Sequence, residues 1–177
     1  MKDIYKERGF YTCGCLKMEK GNKSSRKYLL IISCSKTQSK EKEPIPALRR
    51  YDGRIFRSIK GLMQRNEFSK AIDIRIVSKG YSLEYGLIGP DFPILWYDIE
   101  MTDELALKIK PSILSSLKEL LEKEDYKEVA INLSGGFSIC VEGIRDLLAQ
   151  ETSLTYMIGT LDERDKQLRE WIERVRK

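Results

Sequence analysis

The stretch Tyr28-Leu29-Leu30-Ile31-Ile32-Ser33-Cys34-Ser35-Lys36 decides the fold. Tyr28–Ile32 is a short apolar run closed by Lys27 on one side and by the polar segment Ser33–Lys42 on the other. Such a run reads as a strand buried on both faces, and strands of that kind belong to largely parallel sheets. Ligands of parallel sheets gather beyond the carboxyl ends of the strands, where backbone amides and helix N-termini converge. The turn Ser33-Cys34-Ser35-Lys36 is therefore the first place to look for a site.

Working outward, residues 1–27 mix Lys, Gly, Ser and scattered aromatics without a period and read as an irregular basic arm. On the other side, Pro44 and Pro46 mark a loop. From Ala47 to Phe68 the apolar residues Leu48, Tyr51, Ile55, Ile59, Leu62 and Met63 recur at three- and four-residue steps, predicting an amphipathic helix broken near Asp52-Gly53. Ile72–Ser78 is a second strand, and Gly86–Tyr97 reads as a long irregular loop. A helix starting at Thr102 or Pro111 and reaching Glu124 precedes a third strand, Glu128–Leu133. Ser134-Gly135-Gly136 then opens a helical Phe137–Gln150, Leu154–Ile158 is a fourth strand, and Leu161–Lys177 is a charged helix with Leu168, Trp171, Ile172 and Val175 inward. Strands and helices alternating at this spacing predict one α/β domain over residues 28–177, a three-layer α/β/α arrangement with a mostly parallel or mixed sheet.

The 177 residues and 41% apolar content suffice for one sizeable core. No segment has the ~18 uninterrupted apolar residues of a membrane span, nor a signal-peptide pattern, so no membrane partner and a cytoplasmic location are expected. The four cysteines, Cys13, Cys15, Cys34 and Cys140, are too irregularly spaced for a disulfide framework. Cys13-Gly14-Cys15 is half of a zinc motif, but no histidine exists to complete it, so no metal is expected. Without histidine, acid–base chemistry falls to carboxylates, Tyr, Lys or Cys. The charge is uneven: residues 1–60 carry sixteen Lys/Arg against six Asp/Glu, within a chain of formal net charge +5. A nucleic acid or nucleotide is the natural partner for such a surface.

Three strand ends carry small or polar residues and form the rim of one expected site: Ser33–Lys36, Ser78–Gly80 and Ser134–Gly136. Ser33 and Ser35 with Lys36 would cradle a phosphate or carboxylate, against the alternative of a solvated turn. Cys34 is either a nucleophile or a small core residue. Gly86 suits a positive φ or a close backbone approach, and Tyr85 either stacks on a base or fills a packed corner. Asp52, Asp91, Asp98 and Glu100 are the carboxylates near the cleft, any of which would serve an oxocarbenium-like sugar or simply cap a turn. Ser134 and Gly135 lack the full phosphate-loop and dinucleotide patterns, so no ATP or NAD cofactor is expected, although a modest anion site remains open beside the reading as a tight turn.

Leu30-Ile31-Ile32-Ser33-Cys34-Ser35-Lys36-Thr37 resembles the first strand and Ser-x-x-Lys-Thr turn of the YaaA peroxide-stress family. The block Val77-Ser78, then Tyr85-Gly86-Leu87-Ile88-Gly89-Pro90, followed by Trp96-Tyr97-Asp98-Ile99-Glu100-Met101, is similar to that family's Leu-Ser-x-x-Tyr-Gly-Leu-Leu-x-Pro and Pro-Tyr-x-x-Glu-Met elements, with an insertion around Gly80–Leu83. Tyr51-Asp52-Gly53 resembles its Tyr-x-Gly element. The resemblance spans roughly residues 28–101 and implies a YaaA-like α/β fold, with an association with DNA binding or nucleobase chemistry; the family's DNA-binding helical hairpin has no counterpart here. Taken with the residues, it points to chemistry on a nucleoside or base, with Lys36, Asp98 and Tyr85 as candidate catalytic groups. Candidate ligand-binding residues are Ser33, Ser35, Tyr51, Asp52, Ser78, Gly86, Ser134 and Gly135. The alternative is a non-catalytic DNA- or RNA-binding stress-response protein using the basic arm and the Arg49–Lys60 helix face.

Overall fold

The computed structural model describes residues 28–79 and 85–177. In chain order the elements are β1 (Tyr28–Ser33), β2 (Ile45–Pro46), α1 (Ala47–Arg50), α2 (Arg54–Gln64), β3 (Ile72–Ser78), β4 (Gly86–Ile88), β5 (Pro93–Ile94), α3 (Asp103–Lys123), β6 (Glu128–Asn132), β7 (Ser153–Tyr156) and α4 (Leu161–Arg176). Two 3₁₀ turns, Gly135–Val141 and Ile144–Leu147, lie between β6 and β7. The main sheet has the order β4-β3-β1-β6-β7. β1 sits between β3 and β6 and is parallel to both, β7 is parallel to β6, and β4 alone runs antiparallel on the edge of β3. The fold is thus α/β with a mixed sheet.

Alternation along β1 separates two cores. Leu30 and Ile32 face α2 and α4, meeting Ile55, Phe56, Ile59, Leu168, Trp171 and Ile172. Leu29 and Ile31 face the opposite way, onto Ala106, Ile109, Ile113 and Leu117 of α3 and Cys140, Val141 and Ile144 of the 3₁₀ turns. All four of Leu29–Ile32 are fully buried, as expected of a central strand covered on both faces. Helices α2 and α4 form one outer layer, and α3 with the 3₁₀ turns the other.

The helix expected to break near Asp52-Gly53 does so, as α1 and α2 joined through Tyr51–Gly53. The start of α3 lies at Thr102, whose hydroxyl accepts a hydrogen bond from the Leu105 amide at 3.1 Å, so Pro111 falls inside the helix. Two expectations change. Gly86–Tyr97 is not irregular throughout: Gly86–Ile88 pairs with the free edge of β3, and Pro93–Ile94 pairs with Ile45–Pro46. Strands of two or three residues are too short to show a period. Phe137–Gln150 is not a continuous helix, because Gly143 adopts φ +92° between the two 3₁₀ turns. The segment is anchored instead by burying Cys140, Val141 and Ile144.

Arg50 holds the long β1–α1 connection in place. It is fully buried. Its guanidinium donates to the carbonyls of Ser39 (2.6 Å), Glu41 (2.8 Å), Glu43 (2.7 Å) and Ile94 (3.1 Å). A buried cation satisfied by backbone dipoles fixes the path of the chain, since moving any one segment would strand N–H groups out of water.

Candidate functional site

The topology locates the site. From β1 the chain crosses the α2/α4 face to β3, then returns through α3 on the opposite face to β6, on the other side of β1. The strand order therefore reverses at β1, and the segments after β1 and β6 depart to opposite faces. A crevice opens at such a switch point, beyond the carboxyl ends of the two strands. The residues at those two strand ends are Ser33–Lys36 and Leu133–Gly136.

Behind the β1 and β3 ends lies a closed ring of three hydroxyls. Tyr51 Oη is 2.6 Å from Ser78 Oγ and 2.6 Å from Tyr97 Oη, and Ser78 Oγ is 3.2 Å from Tyr97 Oη. All three residues are buried. Each hydroxyl has one proton to give and can accept another, so the ring satisfies itself without water. Burial pushes the Tyr51 and Tyr97 phenols far up, and the neighbouring Cys34 pushes them the same way. Cys34 is buried beside them. Its thiol is also pushed up by burial, more than Tyr97 and the Lys79 backbone draw it down. A protonated thiol among protonated phenols is a poor nucleophile, and the ring is a structural floor to the crevice.

The charged chemistry lies outside this floor. Lys36 and Glu100 form an exposed ion pair at 3.0 Å, which raises the lysine and lowers the carboxyl from their usual values. Lys79, the residue after β3, is half-buried and held below the usual lysine range by burial, against the opposing pull of Cys34, Glu100 and Asp98. Its ammonium lies 5.9 Å from the centre of the Phe137 ring, which belongs to the turn after β6. Because β3 and β6 flank β1 on opposite sides, this contact spans the end of β1. Lys79 and Phe137 thus meet at the carboxyl-end edge of the sheet, beside the switch point.

The expected residues sort into five groups. Ser33 and Ser78 end β1 and β3, and Tyr51 reaches Ser78 through its hydroxyl. Ser35 packs so close to Gly53 that a β-carbon there would lie 2.3 Å from Ser35 Oγ, which fixes the turn onto the start of α2. Ser134 and the positive-φ Gly135 stand exposed at the β6 end. Lys36 and Asp98 are at the outer rim, exposed. The remaining three have other duties. Tyr85 packs against Phe92 and Tyr97, with ring centres 5.7 and 6.4 Å away, and is half-buried. Gly86 has φ +54° where β4 begins opposite Ser78, a conformation that disfavours any other residue. Asp52 binds Lys60 at 2.9 Å, an arrangement that lowers its pKa and ties the α1–α2 turn to α2. Cys13-Gly14-Cys15, the basic arm and Gly80 lie outside the described residues.

Two polar residues that sequence patterns did not single out meet at the same edge. Asn132 ends β6, and its side-chain oxygen accepts a hydrogen bond from Arg164 Nη1 at 3.1 Å. Both are buried. The available signal was the inward stripe of α4: Arg164 stands one turn before Leu168, on the same face. A charged residue at the end of a helix reads as solvated unless that stripe is extended.

Elsewhere, a concavity of about 390 Å³ between α2 and α4 is lined by Arg54, Arg57, Ser58, Gly61, Leu62, Arg65 and Arg169, with no carboxylate in its lining. No helix among the described residues is long and apolar enough to cross a membrane.

No protein-family model matches the chain, and no curated protein matches it. Among solved structures it is similar to one described as "Crystal structure of AF0587, a protein of unknown function", at 18% identity and a TM-score of 0.49. That likeness covers 84% of this chain but 45% of the other, so the chain spans less than half the length of its structural neighbour.

Proposed function

We infer that the crevice between the ends of β1 and β6 binds a nucleoside or nucleotide, in a YaaA-like protein that processes nucleosides or their bases. The observation that carries this reading is the Lys79–Phe137 contact at the carboxyl-end edge of the sheet, an aromatic ring and a partly desolvated ammonium beside the topological switch point. An aromatic face suits a planar base, and Lys79 sets a partly desolvated ammonium beside it, while Lys36 is balanced by Glu100. Lys79 is the group suited to proton transfer, because burial already favours its neutral form. Asp98 and Glu100 are the carboxylates within electrostatic reach of it. The buried thiol and phenols, all held protonated, take no charged role. Isothermal titration with nucleosides and nucleotides tests this. Millimolar or tighter binding that Lys79→Met weakens is expected; no heat with any nucleoside or nucleotide would refute the reading.

The arginine-lined concavity favours a second reading, non-catalytic binding of DNA or RNA. Arg54 and Arg169 are partly neutralised by Asp165, and Arg65 by Glu67, but Arg57 is exposed and has no ion pair among the described residues. Phosphate contacts release counterions, so binding would fall steeply with salt and Arg57→Glu would weaken it. Salt-insensitive binding, or an unaffected Arg57→Glu variant, would exclude the groove.

A further inference from the structure

Arg164 is 8% exposed and lies in the first turns of α4. Nη1 donates to Asn132 Oδ1, Asn132 Nδ2 reaches the Arg164 carbonyl at 3.4 Å, and Nε is buried without a hydrogen-bond partner. The guanidinium has no ion pair among the described residues. The carboxylates on either side of it in sequence are committed elsewhere. Glu163 accepts from the Thr160 amide and hydroxyl at 2.7 and 2.8 Å, and Asp165 is held by Arg54, Ser58 and Arg169. A charged side chain therefore sits largely buried, with Nε closed off from water and one neutral amide as its hydrogen-bonded counter-group. Burial accordingly lowers its pKa.

Buried polar groups are almost always satisfied, and a buried charge left alone is costly. An arginine in this state is one acceptor short. With Nη1 engaged by Asn132 and Nε closed off, Nη2 is the nitrogen left without a hydrogen-bond partner, and it can donate to an oxygen of an anion. Its position is fixed by Asn132, the last residue of β6, whose neighbour in β1 is Ile32. Arg164 thus stands at the switch-point edge, where Lys36 and Lys79 are balanced by Glu100 and Asp98 and the cation without an ion pair among the described residues is Arg164 itself. The α4 helix terminus is not the receptor. Its capping box of Thr160 and Glu163 places a carboxylate on the first-turn groups.

We propose that Arg164, oriented by Asn132, receives the phosphate of a nucleoside monophosphate bound in the β1–β6 crevice. The proposal rests on the nucleoside or nucleotide reading of that crevice and adds the group that separates a nucleotide from a nucleoside.

The test titrates the full chain with adenosine, AMP and inorganic phosphate, comparing wild type with Arg164→Met and Asn132→Asp. Arg164→Met keeps the stem and removes the charge, while Asn132→Asp supplies an internal anion. AMP is expected to bind more tightly than adenosine, and either substitution to reduce AMP affinity by roughly 10- to 100-fold, to the adenosine level. In phosphate-free buffer Asn132→Asp should melt no lower than wild type, because it gives the buried guanidinium a counter-charge. A merely structural arginine predicts no loss of AMP affinity in either variant that folds. Undiminished AMP binding in those variants, or no binding of AMP and phosphate to wild type, overturns the proposal. If phosphate binds through Arg164 while adenosine adds nothing, the phosphate site stands and the nucleoside reading falls.

Discussion

Tyr51, Ser78 and Tyr97 share three hydroxyl contacts of 2.6, 2.6 and 3.2 Å in a region closed to water. Removing one hydroxyl leaves the other two short of a partner, so Tyr51→Phe should cost about 1–3 kcal/mol in urea unfolding. Tyr97→Phe should cost a similar amount, and the double variant less than the sum, because the groups act as one network. Additive losses would show that the ring is not cooperative. Lys36 presents the opposite case: its pair with Glu100 is exposed, so Lys36→Ala should leave the unfolding midpoint unchanged while weakening any anionic ligand in the crevice. Ser33, Tyr51 and Ser78 were legible as neighbours of one sheet edge, since each stands in a recognisable turn or strand end, but their burial and the Tyr51–Ser78 bond were not. The sequence reading placed Tyr85 and Asp52 in the site because composition cannot tell a ring that stacks on a base from one packed on Phe92 and Tyr97, or a cleft carboxylate from one bonded to Lys60.

Among the elements, β6 and α4 are joined through Glu128. Its carboxylate accepts from Thr155 Oγ1 (2.6 Å), Trp171 Nε1 (3.0 Å) and Arg174 (2.8 and 3.0 Å). Burial alone would raise its pKa, but these donors outweigh burial and hold it below the usual carboxylate value. A folded-state pKa below the unfolded one means that the charged form stabilises the fold. That contribution is complete above the unfolded-state value and is lost as pH falls through the folded one. Acid unfolding of wild type should therefore steepen below the ordinary glutamate range, and Glu128→Gln should flatten that part of the profile while lowering stability at neutral pH. An unchanged acid limb would remove Glu128 from the account. The α4 N-terminus offers a second check: Thr160→Ala breaks the capping box and should cost about 1 kcal/mol in thermal or urea unfolding. Elements with a full period, β1, β3, α2, α3 and α4, were legible from their apolar spacing. The strands β2, β4 and β5 were not, since they exist only by pairing with partners distant in the chain.

At the scale of the whole molecule, the strand order β4-β3-β1-β6-β7 turns a row of unremarkable polar residues into a candidate site. The sequence supplied the strand ends, but not which of them are neighbours. That is why Ser134 and Gly135 could be named as a rim while the Asn132–Arg164 contact could not. The uneven charge of the chain also acquires a location in part, through Lys36 at the crevice and Arg54 and Arg57 in the concavity between α2 and α4. The central claim is that the switch-point crevice, rather than that concavity, receives a nucleotide. Amide chemical-shift mapping of the ¹⁵N-labelled chain during titration with AMP tests it most directly. Saturable shifts concentrated at Ser33–Lys36, Lys79, Asn132–Phe137 and Arg164 are expected. Shifts confined to Arg54–Arg65 and Arg169, or none at millimolar AMP, would contradict it.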